Sequence, residues 1–530
     1  MSSVLKPGQV AFIYPQADDF QSAVVPQTDD QKKLRTFVER RHPEYDENSK
    51  HWDFLEETYE GGREWFKANI FRYIKEGDSE YNSRVERAYR FNHTREVVDL
   101  INKYLFKQNI LRNEGDAPAS VKEFWDSATR SGLNVKDFIR QVSKKTSIFG
   151  RVGIIVDRTP AIEGPSIADE KRAGAQTYAY IVGPEQLLDY SYDTSGALNW
   201  ALIEECVRDD QDPISSSGAE DVRWRLWTKT EWFLFKEVKE GRRKVIVLES
   251  NGVHGLGVVP LILADNIITD ELYDSPSMID DIAYLDRAVA NYLSNLDAII
   301  QDQTFSQLAM PAQGVLPGED MYAKLVEMGT KRVFLYDGES GSQPFYLSPD
   351  VKQAELILSI INKIINEIYH TVGLAGERTK QDNAVGIDNS SGVAKAFDFE
   401  RVNALLTTKA DSLERVENQL TLLVALWNGE YELIKDNLVS YPDSFDTRTL
   451  FDEFDMSARL LLVEGPPTVR RQQMLSLVDK LFPQLSKDLR KQIEDEIENE
   501  WPPAVPEVTS NLQGSFAQSE LNNTGGQNAQ

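Results

Sequence analysis

From Gly392 onward the chain carries Phe399, Val402, Leu406, Leu413, Val416, Leu420, Leu423 and Trp427 at alternating steps of three and four, with Lys409 the one residue in the row of the wrong polarity. That alternation puts the apolar side chains on one stripe of a helix and on no single face of a strand. The spacing predicts a helix of about 35 residues, against a mean of about 11 to 12 in globular proteins. A rod of that length dictates how the rest of the chain can be arranged.

Two further seams precede it. Ser275-Pro276 reads as an N-cap with proline at the first helical position, and Pro311 ends the pattern, so a helix is predicted over 276–308. Within it Ile282, Leu285, Val289, Tyr292, Leu296 and Ile299 keep the same alternation. At 1.5 Å per residue this helix would be about 50 Å long. A second runs from Val351 to Tyr369, with Ala354, Ile357, Ile361, Ile364 and Ile368 along one face. Between the two, 312–349 breaks into short β-like runs around Pro317, Gly329, Gly338 and Gly341. Such long apolar seams leave more surface than one chain is expected to cover, and identical neighbours could supply the missing cover.

The first half has a different texture. Residues 31–107 are helical and aromatic-rich, and Trp52, Phe54, Tyr59, Trp65, Phe66, Phe71 and Tyr73 are expected in a core. A second helical stretch, Val121 to Phe149, leads into Arg151-Val-Gly-Ile-Ile-Val-Asp157, a buried strand. Further strands are predicted at Tyr178–Val182, Trp200–Glu204, Trp224–Trp227, Trp232–Phe235 and Lys244–Leu248. The fold class is therefore α+β and helix-rich. Residues 1–30 read as an extended arm and 373–391 as a loop, with three glycines and no apolar period. After Gly465-Pro-Pro467 come two shorter helices, at about 468–482 and 484–500. Residues 502–530 are rich in Pro, Gly, Ser, Asn and Gln, and disorder is expected there.

With a formal net charge of −27, the 530-residue chain cannot bind nucleic acid by neutralising phosphates over its whole surface. It would need small basic patches, or a wall that repels a duplex and lets it pass. Two basic runs exist, Arg130 to Arg151 and Arg223 to Lys244, and a solvated face offsetting acidic neighbours is preferred over direct DNA binding. Cys206 is the sole cysteine, which excludes an internal disulfide and a four-cysteine zinc site and suits a reducing cytoplasm. Neither a signal-peptide pattern nor an apolar run of membrane-spanning length is found.

Catalytic chemistry has no anchor in the sequence. There is no Gly-x-x-x-x-Gly-Lys-Ser/Thr, so Ile154-Ile-Val-Asp157 is read as a strand reaching the surface and not as a nucleotide–metal site. The histidines His42, His51, His93, His254 and His370 are scattered without metal-ligand spacing. Gly252-Val-His-Gly-Leu-Gly257 lacks the helix a dinucleotide loop requires and reads as a turn. Adjacent aspartates at 18–19, 29–30, 209–210 and 280–281 point in different directions and do not pair as acid and base. No catalytic residue, cofactor or metal is assigned.

The order of elements resembles the portal proteins of tailed bacteriophages. Local runs add to it: Tyr81-Asn-Ser-Arg84 with Ala88 and Phe91-Asn92, Gly257-Val-Val-Pro-Leu261 with Asn266, and Ser391-Gly-Val-Ala394 with Phe397-Asp-Phe399. As an ordered set the likeness covers about residues 45–500. It implies a wing at 31–274, a first stem helix at 275–311, a clip at 312–349, a second stem helix at 350–372, a tunnel loop at 373–391, a long tunnel helix with its return to the wing at 392–464, and a helical crown at 465–501. It further implies a twelve-fold homo-oligomeric ring at one vertex of the virion capsid, made in the bacterial cytoplasm. Its partners would be the double-stranded DNA passing through it, the major capsid protein, the terminase and a tail or adaptor protein, with no membrane involved. By position Arg378, Thr379 and Lys380 would touch phosphate, and the six residues of the seam beginning at Ile282 would lie between subunits. Another phage structural or scaffold-like protein, or an enzyme with an unrecognised carboxylate metal site, remain alternatives.

Overall fold

The computed structural model describes residues 31–74, 76–159, 176–210, 212–240, 242–271, 273–304, 307–311, 333–336, 343–347, 351–374, 392–442, 445, 468, 471, 474–475, 478 and 487–500. The chain divides into two compact units, 1–445 and 446–530.

The aromatic-rich start forms five helices: α1 (Gln31–Val38), α2 (Tyr45–Glu60), α3 (Arg63–Asn69), α4 (Asp78–Arg87) and α5 (His93–Leu105). Trp52 and Trp65 are buried as expected, but Phe71 and Tyr73 are exposed, their rings covered by the guanidinium groups of Arg287 and Arg84. A short strand β1 (Leu111–Arg112) precedes α6 (Ala119–Asp126) and α7 (Val135–Phe149), so the helix expected over 121–149 is broken. Gly132 takes a left-handed turn at φ 82°, and the Asn134 side chain caps α7 by accepting the Asp137 amide at 2.8 Å.

Gly150 ends α7, also at φ 82°, and releases the chain into β2 (Arg151–Arg158). The strands β3 (Thr177–Val182), β4 (Leu187–Tyr192), β5 (Leu198–Arg208), β6 (Glu220–Thr228), β7 (Glu231–Glu240), β8 (Arg243–Val253) and β9 (Leu261–Asp265) follow. They form two antiparallel sheets, β3-β2-β9 and the meander β4-β5-β6-β7-β8. Gly255 and Gly257 supply the positive-φ turn between β8 and β9, as the glycine spacing predicts.

Helix α8 spans Asp280–Thr304, shorter at both ends than the sequence suggests. Ser277 is tied to the end of α7, its hydroxyl donating to the Ile148 carbonyl at 2.7 Å, and the Pro276 carbonyl accepts from Asn266. These bonds hold 275–279 out of helical geometry, so the Ser-Pro pair does not cap the helix. At the other end 307–311 is a strand, β10 (Gln307–Pro311), which pairs in parallel with β11 (Val333–Tyr336) and antiparallel with β12 (Phe345–Leu347). Helix α9 (Val351–Thr371) and the 36-residue α10 (Gly392–Trp427) then follow, with β13 (Val439–Ser440) returning to pair with β1. In the second unit, α11 spans Lys487–Glu500.

One core joins the helices to the smaller sheet. Leu406, Leu413, Val416, Leu420 and Leu423 of α10 are buried in it with Ile154 and Ile155 of β2, Ile262 of β9, Val121 and Phe124 of α6, and Ile139 of α7. The stripe read from sequence is thus covered from within the chain. Lys409 occupies the stripe position its spacing assigns and is itself buried.

Candidate functional site

The elements with the most specific sequence expectations are α8, α9 and the three strands between them. Helices α8 and α9 pack along each other. They run antiparallel, because Asp286 near the start of α8 and Tyr369 near the end of α9 both reach the first turn of α5. The Asp286 carboxylate, fully buried, accepts from the Thr94 hydroxyl at 2.9 Å and from Arg90 at 3.3 Å. Burial pushes this carboxyl up and the neighbouring Arg90 guanidinium opposes the shift. The Tyr369 hydroxyl donates to Glu96 at 2.5 Å. Further along, Arg84 donates to Ser294 of α8 at 2.9 Å while pairing with Glu76 at 2.8 Å, and Asn291 receives the Phe71 amide. One side of α8 is therefore fixed to α3–α5 by polar groups with defined partners.

The seam of α8 is largely filled from inside. Ile282, Val289 and Leu296 are 1%, 0% and 7% exposed, and Leu285, Tyr292 and Ile299 are part-buried. Ile282, Val289 and Leu296 are covered from within the chain, where α2, α5 and α9 pack on α8. Apolar groups do remain outside: Tyr284 and Ile300 of α8 are exposed, Leu356 and Leu358 near the start of α9 are 62% and 45% exposed, and Phe345 and Tyr346 of β12 are exposed beside them in sequence. Arg378, Thr379 and Lys380 lie outside the described residues.

Most cations of the two basic runs pair within the chain. In the first, Arg140 pairs with Asp137 at 3.1 Å, Lys145 with Glu56 at 2.7 Å and Arg151 with Asp265 at 2.5 Å. In the second, Arg225 pairs with Glu205 at 2.6 Å, Arg223 and Lys236 with Glu249 at 3.3 and 2.9 Å, and Lys229 with Asp193 at 2.5 Å. Each such pair reduces the charge available to phosphate.

The scattered histidines have structural settings. His93 is buried against Tyr369, His370 is exposed, and His254 is enclosed by Trp227 and Trp427, burial pushing its imidazole down to about 4. Asp157 accepts a hydrogen bond from the Tyr178 hydroxyl at 2.8 Å, and burial raises its carboxyl. Among the described residues no group of three or more His, Cys, Asp or Glu could hold a metal ion, and no helix is long and apolar enough to cross a membrane.

Sequence reasoning did not identify Lys409 as special. Its ammonium donates to Asn266 at 2.8 Å and Thr146 at 3.4 Å, with no carboxylate in ion-pair range among the described residues, and burial pushes it down to about 7. The lone polar residue in an apolar row was the available signal.

No protein-family model and no curated protein sequence matches the chain. Among solved structures it is similar to a chain from the virion of a native gene transfer agent particle, at 11% identity, covering 77% of this chain and 96% of that one with a TM-score of 0.38. It is also similar to a chain from the neck of an empty GTA particle, at 12% identity, covering 76% and 90% with a TM-score of 0.33. Both scores are too low to assign this chain's fold or role.

Proposed function

We propose that this chain is the subunit of a portal ring, a non-enzymatic channel through which a phage-type genome enters and leaves its capsid. The observation that carries the reading is the α8–β10–β11–β12–α9 excursion. Two antiparallel helices lead out to a small sheet and back, between an α+β body and a helix of 36 residues. The apolar groups it exposes, Leu356, Leu358, Phe345 and Tyr346, suit burial against the same excursion of a neighbouring copy. In that ring the small sheet is the clip offered first to the terminase and then to the adaptor, and 373–391 lines the channel. The subunit's charge of −27 is multiplied by the copy number. The wall then repels phosphates and lets the duplex slide.

Negative-stain images of the purified protein test this directly. Closed rings with a central channel are expected. A protein that stays monomeric at high concentration, or forms open filaments, overturns the portal reading.

A further inference from the structure

Helices α5 and α7 pack side by side and antiparallel. The Lys144 ammonium lies 3.5 Å from Asp99, the Asn102 side chain donates to the Arg140 carbonyl at 3.4 Å, and the Arg140 guanidinium covers the Phe106 ring. On α5, Arg95, Asp99 and Lys103 recur at steps of four, and on α7 so do Lys136, Arg140 and Lys144, so each helix carries one polar stripe. The packing joins the two stripes into one face. Arg95 and Lys144 share the Tyr59 ring at one end, and the same register carries Lys136 toward Lys107 at the other.

Over 93–107 and 135–149 seven Lys and Arg residues stand against three carboxylates, on a chain whose net charge is −27. The three carboxylates are engaged: Glu96 accepts from the Tyr369 hydroxyl, Asp99 from the Tyr59 hydroxyl at 2.9 Å, and Asp137 pairs with Arg140 at 3.1 Å. Lys144 and Lys145 have carboxylate partners as well, and Arg95 donates to the carbonyls of Tyr59 and Glu60. Arg95, Lys103, Lys107 and Lys136 are exposed, and none of the four pairs with a carboxylate among the described residues. Neither basic run of the sequence contains the α5 residues, so the face exists only once the two helices meet.

What such a face binds follows from what it lacks. No large apolar side chain of α5 or α7 is exposed, whereas the centre of a protein interface is apolar and depleted in Lys. The exposed aromatic rings on which single-stranded bases would stack are missing from these helices too. A duplex backbone needs neither, since exposed Lys and Arg suffice to bind its phosphates. Helices packed about 8 to 10 Å apart set the two stripes at a spacing on the scale of duplex grooves, about 6 and 12 Å wide. The acidic surplus of the chain does not forbid the contact, because at physiological ionic strength charges farther away than about 8 Å are largely screened.

We propose that the joined α5–α7 face binds double-stranded DNA through its phosphates, without reading sequence. The portal reading uses none of these side chains and stands or falls separately.

Fluorescence anisotropy of a short labelled duplex, titrated with the full chain, tests this. Four phosphate contacts predict that log Kobs falls with log salt at a slope of about −4, roughly a hundredfold loss of affinity between 50 and 200 mM. Lys103→Gln, Lys107→Gln and Lys136→Gln combined should weaken binding at least ~10-fold and flatten the slope by about 3. The melting temperature should stay unchanged, because these ammonium groups have no ion pair to lose. Lys50→Gln, Lys67→Gln and Lys239→Gln combined remove the same charge elsewhere and should bind as wild type does. No binding at about 50 mM salt, equal weakening by the two triple variants, or tighter binding of the single strand would overturn the proposal. So would displacement of the duplex by poly-glutamate at a lower charge concentration than by unlabelled duplex, which would point to an acidic protein partner instead.

Discussion

Two single positions show how close packing converts a small chemical change into a large one. Gly150 sits at φ 82°, where a Cβ would lie 1.8 Å from the Ser275 carbonyl oxygen. Gly132 shares that φ but has nothing within 4 Å. Gly150→Ala should cost about 3 kcal/mol or more, and Gly132→Ala about 1 kcal/mol, the difference isolating the clash from the backbone strain; denaturant melts of the two variants check this. Lys409 makes a pH prediction. Its amine is pushed down to about 7 in the folded chain from an ordinary 10.5, so between those values the unfolded chain holds a proton that the folded chain lacks. Stability should then rise with pH across that window, by up to ~1 kcal/mol per unit. The stability difference between wild type and Lys409→Met should carry this slope from pH 7 to 9, and a pH-independent difference would mean that Lys409 stays protonated in the folded chain across this range. Nothing in the local sequence distinguishes Gly150 from Gly132, since the clash comes from a residue more than a hundred positions away.

At the scale of elements, the buried face of α8 and the exposed start of α9 separate folding from assembly in the portal reading. Val289 is fully buried in α8, so Val289→Asp places a carboxylate in the core and should cost about 4 kcal/mol or more. Leu356 is 62% exposed on α9, so Leu356→Asp should change monomer stability by no more than about 0.5 kcal/mol while, in the portal reading, preventing ring closure. Thermal melts together with sedimentation of both variants distinguish the two roles. Rings of normal size from Leu356→Asp would move the subunit contact elsewhere. The α8 seam was legible as a helix but not as an interior one. Periodicity reports that a stripe must be covered, not whether the cover comes from the same chain.

For the whole molecule, the acidic balance sets the charge, and among the described residues most cations of the two basic runs are paired within the chain. Arg378 and Lys380 are basic residues between two long apolar helices, and in the portal reading they reach the duplex from every subunit at once. Arg378→Ser with Lys380→Ser should leave rings intact and lower the yield of DNA-filled heads, or let packaged DNA leak, because weak screened contacts act together in a ring. Filled heads at wild-type yield would make these ordinary loop residues. Loss of rings would place the loop between subunits.

By itself the sequence determined where α9 and α10 lie, the positions of most strands of the larger sheet, and the lack of any recognisable catalytic motif. These follow from side-chain period, glycine and proline placement, and residue chemistry, all of them local. Strand β4 went unread, because Leu187-Leu-Asp-Tyr-Ser-Tyr192 is defined by its pairing with β5 and not by its own alternation. Tertiary structure alone decided that α8 starts at Asp280, that its seam is largely filled from within, and that most cations of the basic runs are paired. Each of these depends on which distant residue arrives at a given surface: the Ile148 carbonyl at Ser277, α9 against α8, Glu205 beside Arg225. Such meetings are set by chain topology, which periodicity along one segment does not encode.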